Sequence, residues 1–291
     1  MMALRTASLR PCRRVNFNQL RFSSQNAATD KAEPPVSKLS RPLGMREYPS
    51  TIPKTRMETI QSFMDQDTRM AHRRHLIKEA SKGYFNDLNA TRRNGGKTWI
   101  APSVMIREDK SLYFPNVAGI TLDQSEKRDT AIMCSGRVSV VAMLSTAISE
   151  IHARGFVERT LERFQSHPSF QYIQINLQEN VLKSLLVKVF TSSLRRTVAP
   201  EQQPNYLIST QNMEYVREPL GMVNSKIGYV YLVDEALKVR WGGCADATAD
   251  EAQSLLSCTG VLLNRLDKKF GGPSGSKHPE EIPGPAAAKS S

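Results

Sequence analysis

Cysteine is scarce in this chain, and its few cysteines are far apart. The 291 residues include four, and their positions are Cys12, Cys134, Cys244 and Cys258. No CxxC pair and no cysteine-histidine zinc spacing occurs, so a zinc ribbon and a disulfide framework are excluded. We interpret Cys134, Cys244 and Cys258 as structural side chains, because free cysteine commonly packs as a small hydrophobe.

Long apolar runs are also missing. The longest candidate, Val138 to Leu144, falls far short of the roughly 18 apolar residues that a transmembrane helix requires. Any membrane association is therefore expected to be peripheral. The five histidines form no metal motif and no Gly-X-Ser-X-Gly sequence occurs, so we predict no catalytic, cofactor-binding or metal-binding site.

Acidic residues are absent from the first part of the chain. Residues 1–22 contain five arginines and no Asp or Glu, with Leu, Val, Phe, Ser and Thr between the arginines. This composition is typical of a mitochondrial transit peptide, with a disordered basic tail as the alternative. Its removal would lower the net charge from +12 to +7, since 12 − 5 = 7.

The composition changes along the rest of the chain and predicts four further regions. Residues 23–56 are rich in proline and predict a linker, and residues 57–121 predict a basic helical and extended region. Residues 122–270 predict a folded domain. Residues 271–291 have a Gly, Pro, Ala and Ser composition without a core-forming pattern, which predicts a disordered tail.

The sequence Gly96-Lys97-Thr98 resembles the end of a phosphate-binding loop. Such a loop requires a first glycine five positions before Gly96, but Thr91 occupies that position. Pro102 also limits any helix that could follow. The glycine pair Gly95-Gly96 instead predicts a tight turn.

Strands and helices alternate after residue 129, which predicts an α/β fold with a mixed sheet flanked by helices. A helix is predicted from Ser149 to Phe164, with Ile151 among its inward residues. In the hairpin that includes residues 229–241, alternation predicts that Lys238 and Arg240 face water. Thr248 to Glu251 predicts a capping box at the start of the last helix.

Two segments of this domain resemble the peroxiredoxin branch of the thioredoxin-like superfamily. They are GRVSVV, from Gly136, and YLVDEALKVRW, which ends at Trp241. In redox members of that superfamily, the reactive cysteine follows the first core strand at a helix N-terminus. The corresponding residues here, 145–149, include no cysteine, and no proline stands immediately before the hairpin.

A longer set of motifs resembles the mitochondrial F-type ATP synthase assembly factor ten family, from about Arg41 to about Leu266. The motifs are YFNDL, TRRNGGKTWIAP, REDKSLYFPN and GYVYLVDEALKVRWGG. The resemblance implies a non-enzymatic chaperone on the matrix side of the mitochondrial inner membrane. Its client would be subunit a (subunit six), which it would help to assemble with the subunit c ring.

We hypothesise that TRRNGGKTWIAP and REDKSLYFPN form a partner-facing or membrane-facing extension. The basic candidates for contact with acidic loops or lipid headgroups are Arg92, Arg93 and Lys97, and the aromatic anchors are Trp99, Tyr113 and Phe114. The alternative is that the aromatic residues pack this extension onto the domain while the basic residues are solvated.

Parts of the sequence are also compatible with two other functions. A mitochondrial thiol-dependent, peroxiredoxin-like oxidoreductase is the runner-up, and the missing cysteine disfavours it. Nucleic-acid binding is suggested by the sequence pI of about 9.7 alone, and no RNA-binding motif accompanies it.

Overall fold

A computed structural model describes residues 36–51, 70, 94–123, 126–178, 184–211 and 213–270. All of them belong to one compact unit that begins at Pro35. The predicted transit peptide, the predicted tail and the contact candidates Arg92 and Arg93 lie outside the described residues. So does the predicted basic helix between Met57 and Leu88, apart from Met70.

Seven strands and five α-helices follow one another in the described chain. The strands are β1 (Ala118–Thr121), β2 (Lys127–Asp129), β3 (Val138–Leu144), β4 (Phe170–Leu177), β5 (Tyr206–Ser209), β6 (Tyr229–Val233) and β7 (Val239–Cys244). The helices are α1 (Thr130–Cys134), α2 (Ala147–Phe164), α3 (Ser184–Thr197), α4 (Glu214–Arg217) and α5 (Ala249–Phe270). Short 3-10 turns occupy Asn94–Gly96 and Pro200–Asn205.

The strands form one mixed sheet in the order β2-β1-β5-β4-β3-β6-β7. β3, β4 and β5 are parallel neighbours, whereas β6 is antiparallel to β3 and β7 is antiparallel to β6. The parallel pairs are joined through helices, as βαβ connections require. The predicted thioredoxin-like mixed sheet with flanking helices is confirmed, including its C-terminal hairpin and helix.

Each face of the sheet has its own hydrophobic core. One core contains side chains from α2 and α5, among them Phe156, Leu255 and Leu262. The other contains side chains from α1 and from the segments before the sheet, including Leu43 and Trp99. Because both faces are covered, β3 is buried at every position, which explains its uninterrupted apolar sequence.

The segments that precede the sheet are part of this packing. Leu43, in the predicted linker 23–56, is fully buried, and Lys38 and Ile100 form a parallel β-bridge. Further along, β1 lies on the N-terminal side of the predicted boundary at residues 121 and 122. Residues from the predicted linker and from the predicted basic region therefore complete the second core.

The two edges of the sheet differ. Residues 105–114 cover the β7 edge, where the amide of Ile106 donates to the carbonyl of Arg240 and the amide of Val239 donates to that of Leu112. The prediction that Arg240 faces water is wrong, because this cover buries it and Asp234 accepts a hydrogen bond from its guanidinium at 2.9 Å. At the other edge, β2 is three residues long, and Lys127 and Arg128 in it are exposed.

Helix α2 has the predicted inward face along most of its length, with Val157 in the core and Leu161 and Phe164 packed against it. Ile151 is 64% exposed, so its predicted inward position is wrong. The buried face instead includes His152, Phe156 and Thr160. The buried polar residues His152 and Thr160 weaken the hydrophobic period, which is why apolar spacing misplaces Ile151.

Candidate functional site

Helix α2 begins at the carboxyl end of β3, where redox members of the superfamily hold a cysteine at a helix N-terminus. Here Thr146 is the N-cap, and its hydroxyl accepts a hydrogen bond from the Ser149 amide at 3.1 Å. The Ser149 hydroxyl in turn accepts from the Thr146 amide at 3.0 Å. Hydroxyl groups thus complete a capping box at the position where a thiolate would otherwise be stabilised.

The loop before β6 closes over this end of the sheet. The Ser145 hydroxyl donates to the carbonyl of Ser225 at 2.6 Å, and the Thr146 hydroxyl donates to that of Lys226 at 3.0 Å. A Cβ on Gly228 would overlap the Ser149 carbonyl oxygen, so the close approach of this loop requires glycine. The end of the sheet is therefore closed by hydrogen bonds.

Beside this loop, five residues form a polar cluster that we call the Lys97 junction: Lys97, His152, Asp246, Thr248 and Glu251. The Lys97 ammonium donates to a Glu251 carboxylate oxygen at 2.6 Å and to the Asp246 carbonyl at 2.6 Å. The side chains of Lys97 and Glu251 are only 11% and 3% exposed. Their ion pair joins the TRRNGGKTWIAP segment to the first turn of α5.

Glu251 has several donors in addition to Lys97. The amide of Ala101 donates to Oε1 at 2.8 Å, and the amide of Thr248 donates to Oε2 at 2.9 Å. The Thr248 hydroxyl accepts from the Glu251 amide at 3.3 Å, which completes the predicted capping box. Burial raises the pKa of Glu251, but these donors outweigh burial and hold its pKa below the ordinary value.

His152 is a buried imidazole on the other side of the junction. Its Nδ1 accepts a hydrogen bond from the Gly228 amide at 3.2 Å, and its Nε2 lies 3.5 Å from an Asp246 carboxylate oxygen. Burial lowers the pKa of His152, although the Asp246 carboxylate partly opposes this shift. Since Nδ1 is an acceptor, the neutral ring carries its proton on Nε2.

Gly95 and Gly96 form a turn that leads into the junction. Their φ angles are +62° and +84°, in the left-handed region that favours glycine. The predicted tight turn is confirmed. Lys97 is held by Glu251 and by a backbone carbonyl, so its ammonium is engaged within the protein.

The three cysteines of the described chain are all buried. Burial raises the pKa of Cys134 to about 12, and it also raises the pKa of Cys244 and Cys258. Thiolate formation is thereby disfavoured at all three positions. The Cys244 sulfur instead lies 3.4 Å from the Thr98 hydroxyl oxygen, where it helps to pack the TRRNGGKTWIAP segment.

The four contact candidates that fall within the described residues occupy three environments. Trp99 and Phe114 are in the core, with side chains adjacent to Tyr229 and Tyr231 respectively. Lys97 belongs to the junction. Tyr113 is half-buried, with the ammonium of Lys238 5.9 Å from its ring centroid. The positions of Trp99 and Phe114 correspond to the packing alternative, whereas Lys97 is not solvated as that alternative expected.

A second feature lies at the amino ends of β3 and β4, at the opposite end of these strands from the Lys97 junction. It is an open groove of about 480 Å³, which we call the basic groove. Its lining residues are Lys127, Arg128, Asp129, Ile132, Met133, Ser135, Arg137, Gln171 and Asn205. Sequence reasoning missed it, because three separate segments contribute to it and only the Lys127-Arg128 pair is visible as a local charge signal.

Within the described ranges, no helix has the length and apolar character needed to cross a bilayer. The same ranges contain no group of three or more His, Cys, Asp or Glu side chains arranged to hold a metal ion.

Comparison with solved structures finds thiol-disulfide proteins at low similarity. A secreted thiol-disulfide isomerase from Corynebacterium glutamicum matches with 13% identity and a TM-score of 0.40, covering 55% of this chain and 91% of its own. A DsbF homologue from Corynebacterium diphtheriae matches with 14% identity and a TM-score of 0.38, covering 56% of this chain and 94% of its own.

Comparison of sequences finds matches along most of the chain. A protein named mitochondrial ATPase complex subunit ATP10 from Saccharomyces cerevisiae is 29% identical over 259 residues, which are 83% of this chain and 92% of the relative. A relative with the same name from Candida glabrata is 29% identical, with 78% of this chain and 85% of the relative covered. A Schizosaccharomyces pombe protein named probable mitochondrial ATPase complex subunit atp10 is 24% identical, with 85% and 91% covered.

The match to a protein-family profile also covers most of the chain. The sequence profile described as ATP10 protein matches residues 23–262, which include every strand of the sheet, the Lys97 junction and most of α5. The chain therefore belongs to the ATP10 protein family.

Proposed function

We propose that this protein is a non-enzymatic assembly chaperone for the mitochondrial F-type proton-transporting ATP synthase. Its client is subunit a (subunit six), and it assists the association of that subunit with the subunit c ring. It acts as a peripheral protein on the matrix side of the inner membrane, after import directed by residues 1–22.

The observation that carries this proposal is the extent of the match to relatives named mitochondrial ATPase complex subunits. The Saccharomyces cerevisiae relative is matched over 92% of its length, so the similarity extends beyond one shared domain. A role in that complex follows for this chain. The client and the membrane side are the finer part of the proposal, and they rest on the family resemblance of the sequence motifs.

The chemistry at the end of β3 supports the non-enzymatic part. Ser145, Thr146 and Ser149 direct their hydroxyls into hydrogen bonds with the protein itself. The cysteines of the described chain are buried, with raised pKa values. A scaffold of this kind can hold a partner without forming a mixed disulfide with it.

Within this proposal, the contact candidates divide into two groups. Arg92, Arg93 and Tyr113 contact the client or the membrane surface, whereas Trp99 and Phe114 hold the contact segments against the sheet. Lys97 attaches its own segment to α5 through its ion pair with Glu251. The contact role of the first group is the part that mutagenesis can test directly.

Depletion of the protein in cells tests the proposed function. Native electrophoresis is expected to show loss of the complete ATP synthase, and immunoblotting is expected to show unstable subunit a. Re-expression of the wild-type chain should restore both. An intact, proton-coupled enzyme with normal subunit a after depletion would refute the proposal.

Charge reversal tests the contact candidates. In the depleted cells, Arg92→Glu/Arg93→Glu is expected to restore assembly poorly while the protein remains folded. Arg154→Glu/Arg159→Glu, on the exposed face of α2, is the matched control and should restore assembly fully. Equal rescue by both pairs would assign Arg92 and Arg93 no contact role.

A cysteine-free chain separates chaperoning from thiol chemistry. Replacing Cys134, Cys244 and Cys258 with serine should leave assembly intact in folded protein, and alanine at the same positions controls for the new hydroxyls. Complete loss of function in both folded variants would support the oxidoreductase alternative instead.

A further inference from the structure

We infer that the basic groove is the surface with which this protein meets an anionic phospholipid membrane. The inference deepens the proposed function, which requires a protein without a described spanning helix to work at a bilayer surface. It assigns the membrane contact to residues on β2 and α1 and to Arg137, which are distinct from the TRRNGGKTWIAP segment.

The basic groove carries more positive than negative charge, and its cations are exposed to solvent. Lys127, Arg128 and Arg137 are exposed, and Asp129 is the one acidic residue in the lining. The Asp129 carboxylate accepts a hydrogen bond from the Asn116 side chain at 3.3 Å. Among the described residues, no carboxylate forms an ion pair with Lys127 or Arg137. Such a surface attracts anions before any contact forms.

Arg128 has a partner that does not neutralise the groove. Its guanidinium lies 3.0 Å from Glu126, in a pair whose side chains are 45% and 49% exposed. An exposed pair of this kind contributes little binding energy and is readily exchanged for another anion. A lipid phosphate can therefore replace Glu126 as the partner of Arg128 with little loss of free energy.

An apolar side chain lies among these cations. Ile132, on α1, lines the groove and is 66% exposed. Ile120, 41% exposed, is the cross-strand partner of Lys127 on the adjacent β1. Exposed isoleucine beside lysine and arginine is the arrangement by which peripheral proteins enter the headgroup region, where the cation binds phosphate and the alkyl chain leaves water.

The groove is backed by a rigid part of the fold. The Gln171 side chain, from β4, donates to the Met133 carbonyl at 2.6 Å and to the Ser139 hydroxyl at 2.7 Å. These bonds fix α1 against the central strands. Ile132 is consequently presented from a helix that is already fixed, so binding does not require the protein to order this part of its backbone.

An acidic polypeptide is the other occupant that the charges allow. The exposed Ile132 favours the bilayer, because lipid supplies phosphate and hydrocarbon side by side over the whole groove. The acidic polypeptide is accordingly an outcome of the test below.

Vesicle sedimentation with the full-length chain tests the inference. Wild-type protein should bind vesicles of equal parts phosphatidylcholine and phosphatidylglycerol, and it should bind phosphatidylcholine vesicles weakly. Lys127→Glu/Arg128→Glu/Arg137→Glu should weaken partition into the anionic vesicles by at least about a hundredfold, since each cation contributes about fivefold. The control is Arg154→Glu/Arg159→Glu/Lys268→Glu, which changes the net charge equally at exposed positions outside the groove. This variant should bind anionic vesicles nearly as the wild type does. Equal loss of vesicle binding in both variants, or vesicle binding retained by the groove variant, would overturn the inference.

A site-specific probe separates the groove from the basic N-terminal region. In a Cys12→Ser background, a polarity-sensitive dye is attached at Ser135→Cys in the groove, or at Val104→Cys, which is 72% exposed and outside it. The buried native cysteines should react slowly. Anionic vesicles should shift the emission of the Ser135→Cys label to shorter wavelength and leave that of the Val104→Cys label unchanged. Equal responses at the two positions would refute the assignment of the groove.

Assembly in depleted cells distinguishes the remaining outcomes. If groove reversal abolishes assembly while vesicles never shift the Ser135→Cys dye, an acidic polypeptide occupies the groove and the membrane inference is wrong. If depletion leaves ATP synthase intact, the proposed function fails, but vesicle binding by the groove stands on its own measurement.

Discussion

The two ends of the central strands use the same kinds of side chain in opposite ways. At the carboxyl end, Lys97 is almost completely buried and is held by the Glu251 carboxylate and the Asp246 carbonyl. At the amino end, Lys127 and Arg137 are exposed, and no carboxylate of the described chain forms an ion pair with either. Position in the fold, rather than residue type, therefore decides whether a cation stabilises this protein or remains available to a partner.

The comparison also separates fold from function in this scaffold. The carboxyl end is where redox members of the superfamily carry their chemistry, but here it is closed by hydroxyl groups and by the Lys97 junction. The open surface lies at the amino end. The same kind of sheet can thus carry different sites on its two ends.

The largest effect is expected from breaking the Lys97 junction. Glu251→Leu should lower the free energy of unfolding by about 3 to 5 kcal/mol, because it leaves a buried ammonium without its partner and removes a helix cap. Urea denaturation followed by circular dichroism measures this loss. Glu158→Leu, at an exposed position of α2, is the control and should change stability little. Adding Lys97→Met to Glu251→Leu should recover part of the loss, and no recovery would show that the ion pair is not the cause.

A smaller effect is expected at the cap of α2. Thr146→Ala removes the acceptor of the Ser149 amide and the donor to the Lys226 carbonyl, so stability should fall by about 1 kcal/mol. Thr146→Ser retains the hydroxyl and should recover most of the lost stability. Ser135→Ala, at the amino end of the sheet, should be nearly neutral in the same urea titration; a larger loss there than at Thr146 would contradict the comparison.

The third effect depends on pH. The pKa of His152 is lowered in the folded protein, so the unfolded chain binds a proton there more readily. Its contribution to stability is present above the ordinary pKa of 6.5 and is lost as the pH falls through the folded value. Urea midpoints measured from about pH 8 to about pH 5 should therefore fall. In His152→Gln, the urea midpoint should vary less with pH over this range. If its slope against pH is unchanged, other titratable groups cause the pH dependence of stability.

The smallest effect on stability is expected in the basic groove. Lys127→Gln/Arg137→Gln should leave the free energy of unfolding within about 0.5 kcal/mol of wild type, because exposed charges without partners contribute little. Lys97→Gln, measured beside it, should be clearly destabilising. If the groove pair destabilised the fold as strongly as Lys97→Gln, the distinction between the two ends would not hold.

The sequence predicts the sheet well because its strands and helices are locally marked. The apolar run of β3, the capping residues Thr248 and Glu251, and the alternation in β6 and β7 all predict elements that the structure contains. The orientation of α2 was predicted wrongly at Ile151, since buried polar side chains such as His152 and Thr160 do not contribute to a hydrophobic period.

The site is less predictable because its contacts join distant parts of the chain. The capping box predicts the local role of Glu251, but its ion pair with Lys97 spans 154 positions and leaves no local pattern. Arg240 was placed in water by alternation, whereas a segment about 130 positions earlier covers it. The groove likewise combines residues from β2, α1 and β4, with one short charge signal among them.

The cover over β7 has a consequence for the order in which the molecule forms. Residues 105–114 precede every strand of the described sheet, but their partners lie on its seventh strand, and the partner of Lys97 lies in α5. A chain emerging N-terminus first must therefore carry residues 105–114 undocked until β7 is available, and Lys97 without its carboxylate partner until α5 is available. Because contacts of such long sequence separation form slowly, docking of the segment is expected to be a late folding step. Formation of α5 is thus the event that completes the contacts of Lys97 and Ala101 and fixes their segment on the domain.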